Sequence, residues 1–167
     1  MIGHVRETRP EQLDRIGRLG LVVETIPLTE LWLRGGEYLE SDDLANTVVA
    51  HRDYLDHNVH FGFGTDNKPY NPFVTLWSAI ARRERRTGQI LGPRQQLTRQ
   101  EALRVFTVGG AYFSFDEHRR GSLEPGKLAD LAVLSHDLMS VPEEEIPNIG
   151  SLLTIVGGQV VHRSGVL

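Results

Sequence analysis

A chain of 167 residues, 40% apolar and of mixed charge, is long enough for one domain with a real core, which excludes a disordered polymer. Its net charge of −4 leaves no basic surplus to neutralise phosphates, which argues against a nucleic-acid binder. With no cysteine, disulfides, thiolate zinc sites and cysteine nucleophiles are excluded. No stretch approaches the roughly 20 apolar residues of a membrane-spanning helix, so no membrane partner is expected. Met1-Ile2-Gly3-His4-Val5-Arg6 lacks an apolar run behind a basic start, so a signal peptide is not expected there, and the default is a soluble cytoplasmic protein.

Residues 2–5 form a very short apolar strand candidate. Thr8-Arg9-Pro10-Glu11 then reads as a helix start, with Leu13, Ile16 and Leu19 at helical spacing and Gly20 as the stop. Residues 21–26 are a β-branched strand ending at Pro27. Residues 28–40 suggest irregular helix broken at Gly35-Gly36. Asp42-Asp43 is expected to cap one helix running through Leu44, Val48, Val49, Tyr54 and Leu55 to a stop near Asn58. His60-Phe61-Gly62-Phe63-Gly64 is the next strand, leading into Thr65-Asp66-Asn67. Asn71-Pro72 opens another helix, with Phe73, Leu76, Trp77 and Ile80 on one face. Thr98-Arg99-Gln100-Glu101 is a capping box for a helix carrying Ala102, Leu103, Phe106 and Val108.

The first two-thirds thus alternate strand and helix, which implies parallel strands with helical crossovers. After about Phe115 the pattern changes. Gly121, Pro125 and Gly126 punctuate a hairpin-like run, residues 129–134 form a strand, and residues 152–156 and 159–162 pair as a hairpin across Gly157-Gly158. The expected division is residues 1–115 as an α/β part and 116–167 as a small β region.

In parallel α/β folds, chemistry gathers at the carboxyl ends of strands, where loops face a common mouth. That rule selects His4 after the first strand, Glu24 and Thr25 at the end of the second, and Asp66 after the third. Imidazole and carboxylate both suit zinc and similar ions, and a carboxylate can relay the proton of an attacking water. Bland alternatives stand beside these. A strand-end aspartate is as readily a helix cap, a histidine near a chain start is commonly a surface residue, and Glu24 could simply face solvent. His51 and His57 lie six apart, off the spacing that shares a helix face, and His60 starts its strand at the opposite end. With His118, His136 and His162, they are not expected to bind metal. The run Arg82-Arg83-Glu84-Arg85-Arg86 reads as a solvated last helical turn that complements the helix dipole. Gly62 and Gly64 make no phosphate cradle, and read instead as places of close strand packing.

Three groups of segments carry a resemblance. Ile2-Gly3-His4-Val5 precedes Arg9-Pro10-Glu11-Gln12-Leu13 and Leu19-Gly20-Leu21-Val22-Val23. Phe63-Gly64-Thr65-Asp66-Asn67 precedes Tyr70-Asn71-Pro72-Phe73. Then come Thr98-Arg99-Gln100-Glu101-Ala102-Leu103, the element Gly121-Ser122-Leu123-Glu124-Pro125-Gly126-Lys127-Leu128-Ala129-Asp130-Leu131, and Val156-Gly157-Gly158-Gln159-Val160-Val161. Their order resembles the C-terminal part of the metal-dependent amidohydrolases, in particular the amidohydrolase 3 group.

The resemblance implies an α/β fold made of the last three βα units of a (β/α)8 barrel, strands six to eight, followed by C-terminal strands of a small β-sandwich. It implies that His4 is a metal ligand of strand six. Asp66 would be both metal ligand and catalytic proton shuttle after strand eight. The cofactor implied is a divalent metal, zinc foremost, and the substrate a small molecule with an amide-like, non-peptide C–N bond. Thr65 and Asn67-Lys68-Pro69 depart from the pattern of many relatives, so an altered pocket rim is expected. The family's His-x-His pair is absent, and its strand-four and strand-five ligands would lie upstream of Met1. The chain alone is therefore expected to be inactive, needing the missing N-terminal half or a second copy as partner. The alternative is a non-catalytic orphan fragment acting as an oligomeric or partner-binding module.

Overall fold

A computed structural model describes residues 1–66 and 70–165. Pro10 in the first turn and Gln12, whose side chain accepts the Arg9 N–H, start helix α1 (Pro10–Arg18). Gly20, at φ 59°, turns the chain into strand β1 (Val23–Thr25). Its parallel partner is β2 (Phe61–Phe63), with Val23 beside Phe61 and Thr25 beside Phe63.

Residues 2–5 do not form a continuous strand. Ile2 pairs with β1 through Ile2 N–H to Val22 O and Glu24 N–H to Ile2 O, but His4 takes φ 56° and breaks the extended run. Val5 N–H then returns to Glu24 O. The segment thus lies parallel to β1 on the side away from β2, and three carboxyl ends emerge side by side.

The single helix expected over residues 42–55 is two. Ser41 caps α2 (Asp42–Thr47) by accepting the Leu44 N–H, and α3 (His51–Asp56) comes after a break. The break has a tertiary cause: Val48 forms an antiparallel bridge to Glu7, and Val49 stands at φ 37°. Residues 28–40 are irregular, as expected: a π-helical turn spans Leu28–Leu33 and a 3-10 turn spans Gly35–Tyr38.

Helix α4 (Pro72–Ala81) begins at Asn71, whose side chain accepts the Phe73 N–H. It ends at Arg82 in the left-handed region, which corrects the expectation of a solvated last turn. The Arg82 side chain is wholly buried and donates to Val48 O, Val49 O and Leu91 O at 2.7–3.0 Å. Glu84 is buried as well, and only Arg85 and Arg86 of the run are exposed. Burial alone lowers the Arg82 pKa to about 9, which leaves it a cation at neutral pH.

The Thr98–Glu101 capping box starts α5 (Arg99–Arg104). A π-helical stretch, Val105–Gly109, continues it into α6 (Gly110–Phe113). Gly109 lies so close to β2 that a Cβ there would sit 2.4 Å from the Phe61 carbonyl oxygen. The run around Gly121, Pro125 and Gly126 is a string of turns, not a hairpin. Positive φ at Gly121 and Gly126 bends it repeatedly, and no ladder forms before β3 (Leu131–Leu134). β3 pairs antiparallel with β4 (Ser151–Val156), which pairs with β5 (Gln159–Arg163) across the expected Gly157-Gly158 turn.

The main core joins Leu13, Val23, Tyr54, Phe61, Leu76 and Val105. Leu138, Ile146 and Ile149, from the connection between β3 and β4, enter the same core, and Asn71 Nδ2 donates to Pro147 O across that contact. A second cluster packs Leu31 and Tyr38 against Ala45, Val48, Val49 and Leu91.

Candidate active site

The side-by-side ends of residues 2–5, β1 and β2 bring three expected residues to one region. Asp66 lies three residues past the end of β2 and takes φ 55°, a conformation tolerated better by aspartate than by most side chains. Thr29, in the π-helical turn after β1, donates its hydroxyl to Asp66 Oδ2 at 3.5 Å. His4 is exposed, and its backbone N–H donates to Glu24 Oε2 at 2.9 Å. Glu24 therefore does more than face solvent. Its other oxygen, Oε1, lies over Gly64, where a Cβ would come within 2.1 Å.

Strand alternation sends Thr25 to the opposite face. Its Oγ1 meets His51 Nε2 at 3.1 Å in the buried layer, with His51 stacked on Phe61 at 5.5 Å between ring centroids. Burial, with Arg82 nearby, holds the His51 pKa well below the usual histidine range, so the ring is neutral. The other histidines are engaged elsewhere. His57 contacts Asp53 O, His60 stacks on Tyr112, His118 is close to Glu117, His136 meets Ser135, and His162 lies on exposed β5.

The π-helical turn links the neighbouring loops. While Thr29 reaches Asp66, the next residue, Glu30, pairs with Arg6 Nε at 3.0 Å. Arg6 also donates to Tyr38 and Glu37. Burial pulls the Arg6 pKa down, but those hydrogen bonds outweigh it and hold the guanidinium above its usual range. Burial raises Glu30, which Arg6 and Arg34 oppose.

An imidazole and a carboxylate are donors of the kind a zinc ion takes. A catalytic zinc usually has three protein ligands, and among the described residues no group of three or more histidines and carboxylates is placed to hold a metal. His4 and Asp66 thus fit such an ion in kind, as two of the ligands it would need. Asn67, Lys68 and Pro69, on which the altered rim was expected, lie outside the described residues.

The close approach at Gly64 agrees with its reading as a place of close strand packing, though the approaching group, the Glu24 carboxylate, was not foreseen from sequence. Nor was the polar network around Arg6, whose only signal was its place two residues after His4.

Comparison with known proteins gives these features a setting. The profile of the amidohydrolase family matches residues 1–162. An N-substituted formamide deformylase of Arthrobacter pascens is 35% identical over 109 residues, 64% of this chain and 20% of that protein. A putatively named amidohydrolase of Bacillus subtilis is 25% identical over 125 residues, 72% of this chain and 24% of that protein. Among solved structures, an uncharacterised metal-dependent hydrolase from Pyrococcus horikoshii superposes with a TM-score of 0.71 at 25% identity, over 86% of this chain and 30% of that one. Atrazine chlorohydrolase from Arthrobacter aurescens, complexed with zinc, gives 0.66 at 24% identity, over 96% and 35%. The chain thus spans a fifth to about a third of the relatives it matches. Its α/β fold, with the small antiparallel sheet, is that of the metal-dependent hydrolases, and the chain belongs to the amidohydrolase family.

Proposed function

We propose that this chain is the C-terminal portion of a metal-dependent amidohydrolase that cleaves an amide-like, non-peptide C–N bond in a small molecule. Residues 2–5, β1 and β2 correspond on this reading to barrel strands six, seven and eight, and β3 to β5 to the C-terminal part of the sandwich. The observation that carries it is Asp66, placed after a parallel strand and separated by β1 from the neighbouring end that bears His4, in a chain matched by the family over residues 1–162.

A bound divalent ion such as zinc would polarise the scissile carbonyl and make water a nucleophile near neutral pH. His4 and Asp66 would supply two of its protein ligands. The Asp66 carboxylate accepts the proton of the attacking water and returns it to the departing nitrogen, which avoids expelling an amide anion. Thr29, donating to Oδ2, orients that carboxylate. The remaining ligands come from the N-terminal half, so the chain by itself is inactive.

The test is Asp66→Asn in the complete protein that carries this segment. Turnover on amide-like substrates is expected to fall by about a thousandfold or more with the thermal midpoint unchanged. Wild-type turnover in that variant would remove Asp66 from the mechanism.

A second reading, a non-catalytic module that binds a partner, is favoured by β5, which is exposed along its whole length with Val160 and Val161 at 51% and 61%. Purified chain that forms a compact, metal-free oligomer with a cooperative melt would support it.

A further inference from the structure

Glu24 stands in the mouth between the two residues proposed above as metal ligands, and three features converge on its carboxylate. Oε2 accepts the N–H of His4 at 2.9 Å. A Cβ at Gly3 would lie 3.0 Å from the same oxygen. A Cβ at Gly64 would lie 2.1 Å from Oε1 and 3.1 Å from Cδ, so an alanine there would make the carboxylate swing away from its place. Neither glycine has a positive φ, so backbone conformation does not demand glycine at these places. What occupies the space beside both glycines is one carboxylate.

His4 shows the other half of the arrangement. Its φ of 56° is uncommon for a residue with a side chain and needs support from its surroundings. Glu24 gives that support by fixing the His4 N–H, while the backbone on either side of His4 is tied to β1 through Ile2 and Val5. The same carboxylate rests on Gly64, two residues before Asp66. One side chain on β1 therefore sets both neighbours.

We propose that Glu24 is a positioning residue, whose carboxylate holds His4 in its left-handed turn and fixes the distance between the strand ends bearing His4 and Asp66. This role rests on the metal-hydrolase reading proposed for the same mouth. A hydrated surface glutamate would need neither a neighbouring donor nor two missing Cβ atoms. Positioning groups of this kind commonly influence metal affinity by about 10–100-fold.

The experiment uses the complete protein loaded with cobalt(II), whose visible absorption reports ligand geometry, with binding constants measured by titration. Glu24→Ala and Gly64→Ala are each expected to weaken cobalt binding by at least about tenfold and to alter the spectrum. Glu24→Gln, which keeps an acceptor for His4 N–H in the same space, is expected to retain the wild-type spectrum. Gly64→Ala made in the Glu24→Ala background is expected to add nothing, because the group it displaces is gone.

His4→Ala and Asp66→Asn serve as controls. Cobalt binding indifferent to both controls overturns the metal reading, and Glu24's role with it. Binding sensitive to the controls but unchanged by Glu24→Ala and Gly64→Ala overturns Glu24's role alone. Should Glu24→Ala fail to fold, Gly64→Ala and Glu24→Gln decide between the same two outcomes.

Discussion

Arg52 of α3 and Glu101 of α5 are joined by two parallel hydrogen bonds, Nη1 to Oε1 at 2.8 Å and Nη2 to Oε2 at 2.6 Å. Glu101 also accepts the Thr98 N–H, so one side chain both caps its own helix and ties it to another. Arg52 first, then the Thr98 bonds, hold the Glu101 pKa down to about 2 against its burial. Replacing Glu101 with alanine removes the tie and the acceptor for the Thr98 N–H, leaving only the Thr98 hydroxyl on the backbone N–H of position 101, and a loss of about 2 kcal/mol is expected in urea denaturation at pH 7. A depressed carboxylate stabilises the fold above its unfolded pKa of about 4.3, and that stabilisation is lost as pH falls toward the folded value. Wild type should therefore lose this contribution between about pH 4.3 and 2, whereas Glu101→Ala should be flat in that window as far as this group is concerned.

Arg82 donates to three carbonyls from inside the protein, which neither a shorter cation nor water replaces without rearrangement. Arg82→Ala is expected to cost roughly 3–5 kcal/mol, since Val48, Val49 and Leu91 lose their shared donor in a dry place. Arg82→Lys should rescue little, because one ammonium cannot match the guanidinium fork. Chemical denaturation of both variants checks this, and full rescue by lysine would refute the geometric argument.

His51 is neutral and wholly buried, with its pKa depressed by burial first and by Arg82 second. A base with a lowered folded pKa contributes stability that is intact above the unfolded value of about 6.5. That stability is lost as pH falls below it, because the unfolded chain takes the proton first. The slope contributed by this group is about 1.4 kcal/mol per pH unit, set in against water at mild acidity. In His51→Gln, which keeps a donor for Thr25, this part of the slope below pH 6.5 should vanish. Denaturation midpoints between pH 8 and 5 measure the difference.

Gly109 has helical dihedrals, so alanine there would by propensity alone stabilise by about 1 kcal/mol. The Phe61 carbonyl 2.4 Å from the would-be Cβ decides otherwise. Gly109→Ala is expected to destabilise by about 1–3 kcal/mol by pushing the helix from β2. A raised thermal midpoint in that variant would show that the helix moves away freely.

The features that could be read from the sequence are those that short-range chemistry dictates. The Thr98–Glu101 box, the Asn71-Pro72 start and the Gly157-Gly158 turn are satisfied within a few residues, and each is where its pattern put it. That Asp66 follows a strand was legible as well. The break at Val48 was not, because its cause is a bridge to Glu7, forty-one positions away by number, and a guanidinium from Arg82. Nor was Arg82 itself: in a row of four arginines nothing local distinguishes the one that folds inward from those left in water. Glu24 was placed at its strand end, but its acceptor role depends on how closely two backbone segments approach.

The π-helical turn Leu28–Leu33 gives chain length a meaning of its own. Its bond from Arg34 N–H to Thr29 O spans five residues, one more than an ordinary helix. Thr29 and Glu30 reach Asp66 and Arg6 from within that widened winding. Deleting one residue beyond Glu30 would let the turn relax to regular pitch and swing the residues after it by about 100°. Glu37 and Tyr38, which follow the turn, would then leave Arg6 without any side chain having been changed. Here spacing along the polymer, as much as side-chain identity, is the quantity held constant.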